Sequence, residues 1–132
     1  MIDIKTVINN IDIYKKNVAD RQIKIDVEEV LNLHQSLVSN RHKLDELRAA
    51  MNKAAKAFSG GVGDESSEVR SKLRQLKQDI SIQEGVVREI SCQYENKVNQ
   101  LPNFMAGTVP LGTTDADNRQ VKTWGKPSTF DF

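Results

Sequence analysis

Cysteine is nearly absent from the 132 residues. Cys92 stands alone, so no internal disulfide is possible and a reducing, cytoplasmic setting is expected. Aromatic residues make up only 5% of the chain, and four of the seven (Phe104, Trp124, Phe130 and Phe132) fall in the last 29 residues. The middle of the sequence therefore has little with which to build a broad core or stack nucleic-acid bases. Long apolar runs are missing too, and the longest are far too short to span a bilayer. The opening "MIDIKTVINN" has neither a basic n-region nor an apolar h-region, so no secretory signal is expected. Charge of one sign is not in excess: 19 Lys+Arg face 18 Asp+Glu, so any anion-binding role must come from local clustering. A mean hydropathy of −0.53 suits an elongated, solvated shape better than a sphere.

Catalytic constellations are equally lacking. "SGGVG" is not followed by the Lys-Ser/Thr of a phosphate-binding loop and does not follow a strand. His34 and His42 lie eight residues apart with no acid or cysteine completing a metal set, which predicts outward surface histidines. No catalytic residue, metal ligand or cofactor site is expected in these 132 residues.

What the chain does contain is helical periodicity. Ile2, Ile4, Val7 and Ile8, then Ile11, Tyr14 and Val18, predict two short helices of about two turns each, with Tyr14 as core packing beneath them. At "IDVEEV" Asp26 stands three residues before Glu29, an acidic capping box that starts a helix. From there the apolar positions follow a heptad: Val30, Leu37, Leu44, Met51 and Phe58 at a, Leu33, Leu47 and Ala54 at d, with Asn40 the polar exception. "SGGVGDESS" breaks the helix. A second heptad places Leu73, Ile80, Val87, Tyr94 and Leu101 at a and Val69, Leu76 and Ile90 at d, with Gln83 and Lys97 as exceptions, until Pro102 ends it. Each helix should run about 32 residues, roughly 48 Å at 1.5 Å per residue.

So short a break forces the helices antiparallel. The register that pairs Phe58 with Val69 also pairs Met51 with Leu76, Leu47 with Ile80, Leu37 with Ile90 and Val30 with Lys97. It brings Asn40 and Gln83 into adjacent layers, where they can bond each other and fix register. The fold class expected is all-α: a long antiparallel two-helix coiled-coil hairpin, short N-terminal helices packed at its base, and an extended C-terminal tail. The expected domains are 1–101 for the helical arm and 102–132 for a linker and the start of a further domain.

Charge is unevenly spread along this hairpin. Residues 41–77 hold nine Lys+Arg against five acids, while 27–40 and 78–100 hold two against six. On the e-position flank the register predicts Arg41 opposite Glu84 and Arg48 opposite Lys77, a like-charged pair that costs a few tenths of a kcal/mol in comparable helix pairs. Charge alone favours a solvated face. The alternative is an edge that takes up an external polyanion through phosphate contacts, reading backbone and shape as proteins do with structured RNA.

The last 32 residues carry the most specific signal. Leu101-Pro102-Asn103, Val109-Pro110-Leu111-Gly112, Asp117-Asn118, Trp124-Gly125-Lys126-Pro127 and Phe130-Asp131-Phe132 together resemble the segment that joins the helical arm of bacterial-type seryl-tRNA synthetases to their catalytic domain. "LRAAMNKAAK" on the outgoing helix and "MIDIKTVINN" at the start are similar to the same family, so the resemblance covers the whole chain in order. The chain departs from it at Phe104-Met105 and at the tip, "FSGGVGDESS", which has fewer lysines than many members. It also stops where the family's catalytic domain begins, as an excised fragment would.

The resemblance implies a function for the basic half. The arm would bind serine tRNA, recognising its long variable arm by backbone and shape. Arg41, Arg48, Lys53, Lys56, Arg70, Lys72, Arg74 and Lys77 would serve as phosphate contacts. The parent enzyme would be a class II serine–tRNA ligase using ATP and Mg²⁺, homodimeric through its catalytic domain; the 132 residues alone would be inactive. Two other readings stay open: a coiled-coil hairpin that binds protein, and a synthetase-like paralogue without charging activity.

Overall fold

The computed structural model describes residues 2–58 and 66–126, without the side chains of residues 57, 58 and 66. Four α-helices follow in order: α1 (Ile4–Asn9), α2 (Ile11–Asp20), α3 (Val27–Phe58) and α4 (Ser66–Val98). A single 3₁₀ turn, Asp115–Asp117, interrupts the tail, and no strand occurs among the described residues.

The long helices are 32 and 33 residues, as the heptads predict, and they pack on each other as an antiparallel pair. Contacts that rise along α3 fall along α4: Glu29 with Lys97, His34 with Tyr94, Arg41 with Ser91 and Arg48 with Glu84. Asp26 starts α3 by accepting the N–H groups of Glu28 at 2.8 Å and Glu29 at 3.3 Å on Oδ1, satisfying donors that a helix start leaves orphaned. The Glu29 carboxylate is turned across the seam to Lys97. α4 stops at Val98, short of Pro102, and its last carbonyls are met by turn bonds from Asn99, Gln100 and Leu101.

Two helices alone can cover each other on one side only, and the burial follows from that. Val30, Leu37 and Leu44 are buried, while Leu47, Met51, Leu76, Ile80 and Ile90 are half-buried. Asn40 and Gln83 bond as expected: Gln83 Nε2 donates to Asn40 Oδ1 at 2.9 Å and to Asn40 O at 3.1 Å. Gln83 is 6% exposed, so this bond sits in the seam. The pairing of Phe58 with Val69 lies outside the described side chains.

The true core is at the base. Val7, Tyr14, Val18, Val27, Val30, Val98 and Leu101 form one buried cluster, where α1 and α2 close over the ends of the hairpin. Fully burying a valine contributes about 1.5–3 kcal/mol, and Val7 and Val30 are fully buried. α2 ends in a Schellman turn: Ile23 N–H bonds Val18 O at 3.2 Å and Gln22 N–H bonds Ala19 O at 2.9 Å, with Gln22 at φ 54° where glycine is usual.

Candidate nucleic-acid interface

All eight cations expected to meet RNA are exposed: Arg41, Arg48, Lys53 and Lys56 on α3, Arg70, Lys72, Arg74 and Lys77 on α4. A two-helix rod with its apolar residues drawn into one seam leaves every other helical position to solvent, so the basic side chains stand outward by default. They do not form one face. Arg41, Arg48, Arg70 and Lys77 occupy e positions and share one flank of the seam, a strip of roughly 24 Å at 1.5 Å per residue. Lys53, Lys56, Lys72 and Arg74 sit on other faces of the rod.

On that flank the expected charge pairing is corrected. Arg48 does not face Lys77. Its Nη2 bonds Glu84 Oε1 at 2.8 Å, with Asp45 at 3.9 Å from Nη1. Arg41 does not meet Glu84 and instead donates to Ser91 Oγ at 3.3 Å. Asn40 and Gln83 bond as the expected seam requires, while the flank partners are displaced by one heptad. The cause is the lean of side chains toward their own helix N-terminus. Arg48 leans toward the base and Glu84, on the returning helix, toward the tip, so the two converge; Arg48 and Lys77 lean apart.

The pair is half-exposed, with Arg48 at 50% and Glu84 at 43%, and a pair so solvated contributes at most about 0.2–1 kcal/mol. No repulsion is stored on the flank, and Arg48 comes to any ligand already engaged. Lys53, Lys72, Arg74 and Lys77 have no ion pair with another described residue.

The histidines divide. His42 is exposed, as expected, with Nδ1 at 3.5 Å from Glu46 Oε1. His34 is not an outward histidine: its ring lies 5.5 Å from that of Tyr94, and its Nδ1 is buried with no hydrogen-bond partner. The two rings are tilted by 40° to each other. Among the described residues no group of His, Cys, Asp and Glu could hold a metal ion, and no helix is long and apolar enough to cross a membrane.

Sequence reasoning missed one polar cluster, at the base. Tyr14 is fully buried, as its role in core packing predicts, yet its hydroxyl also donates to Pro102 O at 2.6 Å. Burial pushes the Tyr14 phenol above its ordinary pKa, with Arg21 pulling it back. Asn17, one turn further along α2, and Arg21, the residue that caps its C-terminus, reach Asn103. The available signal was their spacing on one helix face; their partners lie more than eighty residues away.

Taken together these features define an elongated helical arm, capped at its base by two short helices, with cations gathered on its outer half. Residues 1–105 match the family model described as the seryl-tRNA synthetase N-terminal domain. The chain belongs to that family. It is similar over its whole length to the serine–tRNA ligases of Dictyoglomus thermophilum, at 34% identity, and Staphylococcus saprophyticus, at 30%. The Burkholderia ambifaria enzyme of the same name is 28% identical over the same span. The chain spans about a third of the length of these relatives, 31–32%.

Proposed function

We propose that this chain is the tRNA-binding arm of a serine–tRNA ligase, and that it takes the long variable arm of serine tRNA along its outer half. The observation that carries this is the e-position flank, where four exposed cations (Arg41, Arg48, Arg70 and Lys77) accompany one acid, Glu84. With Lys53, Lys56, Lys72 and Arg74 they are the proposed phosphate contacts. A rod with no exposed aromatic among its described residues there would read phosphate spacing rather than bases. Membership of the family turns a solvated basic face from the commoner reading into the less economical one.

On this reading residues 1–101 are the arm and 102–132 the linker and the start of a catalytic domain whose body lies outside this chain. The parent protein charges tRNA with serine using ATP and Mg²⁺, works in the cytoplasm and is a homodimer through its catalytic domain. None of that chemistry is assigned to a residue here.

The test is salt dependence of RNA binding. Lys72→Gln with Lys77→Gln removes two cations and breaks no ion pair between described residues. Log affinity against log salt should flatten by about 0.7–0.9 per lost phosphate contact, with helicity unchanged. Lys16→Gln with Arg88→Gln, at the base, should alter the slope little. A tRNA with a long variable arm should compete better than one without. Equal loss from tip and base variants, or equal competition by both RNAs, would remove the arm as a selective reader.

A further inference from the structure

We propose that α2 is an orientation bracket: Tyr14, Asn17 and Arg21 are positioning residues that fix the direction in which the chain leaves the base of the hairpin. The inference goes beyond the reading above and stands whatever the arm binds.

Residues 102–105 belong to no helix or strand, so their peptide groups have no ladder to join. A plain spacer would leave those groups to water. Here four consecutive residues are held from one helix. The Tyr14 hydroxyl donates to Pro102 O at 2.6 Å. Asn103 O accepts from Arg21 Nη1 at 2.8 Å and from Asn17 Nδ2 at 3.3 Å. The Phe104 ring packs edge-on against Tyr14, with centroids 5.0 Å apart. Met105 N–H donates to Asn17 Oδ1 at 2.7 Å.

Asn17 is 7% exposed and uses both ends of its carboxamide on residues two apart, which fixes the intervening backbone as well as its position. A buried carboxamide whose partners moved away would be left unsatisfied at a cost, so alternative directions of exit are disfavoured. Tyr14 and Asn17 fall at i and i+3 on one face of α2, and Arg21, its C-cap, follows at i+7. That face is anchored through Tyr14 and Val18 in the same core that holds the ends of α3 and α4. The tail direction is thereby tied to the hairpin axis, and a ligand on the distal half would be presented at a set angle to whatever follows residue 105.

The experiment measures that angle as a distance. In the 132-residue chain with Cys92→Ser, spin labels at Ser81→Cys on α4 and Thr108→Cys beyond the bracket report arm-to-tail geometry. Labels at Asn32→Cys and Ser81→Cys report the hairpin alone. The unaltered bracket should give one narrow arm-to-tail distribution. Asn17→Ala and Tyr14→Phe should each broaden it while the hairpin distance stays fixed, and Met105 amide exchange should quicken by roughly two- to tenfold. Tyr14→Phe keeps the ring and the Phe104 contact, so it decides the matter if Asn17→Ala disturbs the hairpin distance. A broad distribution before mutation, or an unchanged one after Tyr14→Phe and Asn17→Ala, overturns the bracket.

Discussion

Single residues in this chain hold conformations that the rest of the structure must maintain. Gln22 occupies the left-handed region at φ 54° because α2 must turn sharply to start α3, and a side chain there costs on the order of 1 kcal/mol. Gln22→Gly should therefore raise stability by about 0.5–1 kcal/mol, seen as a higher thermal midpoint with unchanged helicity. A lower midpoint would mean that the glutamine side chain holds the turn. Asp117 is a second case: Oδ2 accepts the Thr113 and Thr114 N–H groups at 2.8 and 3.0 Å and the Thr114 hydroxyl at 3.3 Å. The two backbone N–H bonds, Thr114 first, hold its carboxyl below the usual aspartate range. The contribution to the turn is fully present above the ordinary carboxyl pKa and disappears as pH falls through the lowered native value. The Thr113 and Thr114 amide resonances should shift only below the usual aspartate range; a transition within that range would mean that the bonds do not favour the carboxylate.

Elements show where the sequence speaks and where it does not. The heptads of α3 and α4 were legible because a two-helix seam depends on period alone, and the Asn40–Gln83 bond agrees with the expected adjacency of those two layers. The flank partners were misjudged, since e positions meet according to side-chain lean, which counting layers ignores. His34 was misjudged because its e position, read on α3 alone, does not show that it meets the Tyr94 ring across the seam. The α2 bracket was out of reach, as nothing in a local pattern says which carbonyls 82 to 88 residues later will be left without partners. The buried polar pair makes its own prediction. Asn40→Leu with Gln83→Leu removes both halves, so stability should hold or rise by up to about 1 kcal/mol. With Cys92→Ser, cysteines introduced by Met51→Cys and Leu76→Cys should crosslink in the original seam, whereas Met51→Cys with Val69→Cys, one heptad out, should not. In the double-leucine background the second pair should begin to crosslink. If it stays silent, register is set elsewhere than by the amide pair.

At the scale of the molecule, the base buries apolar surface and the tail displays it, as Ile13, Val38 and Ile82 do singly on the helices. Phe104 is the only one of the four late aromatics with a ring contact to the helices among the described residues; Phe130 and Phe132 lie outside them. Trp124 is 91% exposed and Val121 93%, with Lys122 Nζ 5.7 Å from the Trp124 ring centre, an exposed contact that contributes about 0.5–1 kcal/mol at most. Singly exposed apolar residues need no partner, but the proposed linker role would supply one for these two, a catalytic domain beyond the 132 residues. Because Trp124 is the sole tryptophan, the idea can be followed by its emission. In the 132-residue chain it should be red-shifted and readily quenched by acrylamide or iodide. In the full-length protein carrying this chain it should shift to the blue and resist quenching. Protection already present in the 132-residue chain, lost on dilution, would mean that a second copy covers the tail; protection independent of dilution would mean that the tail folds back on its own arm.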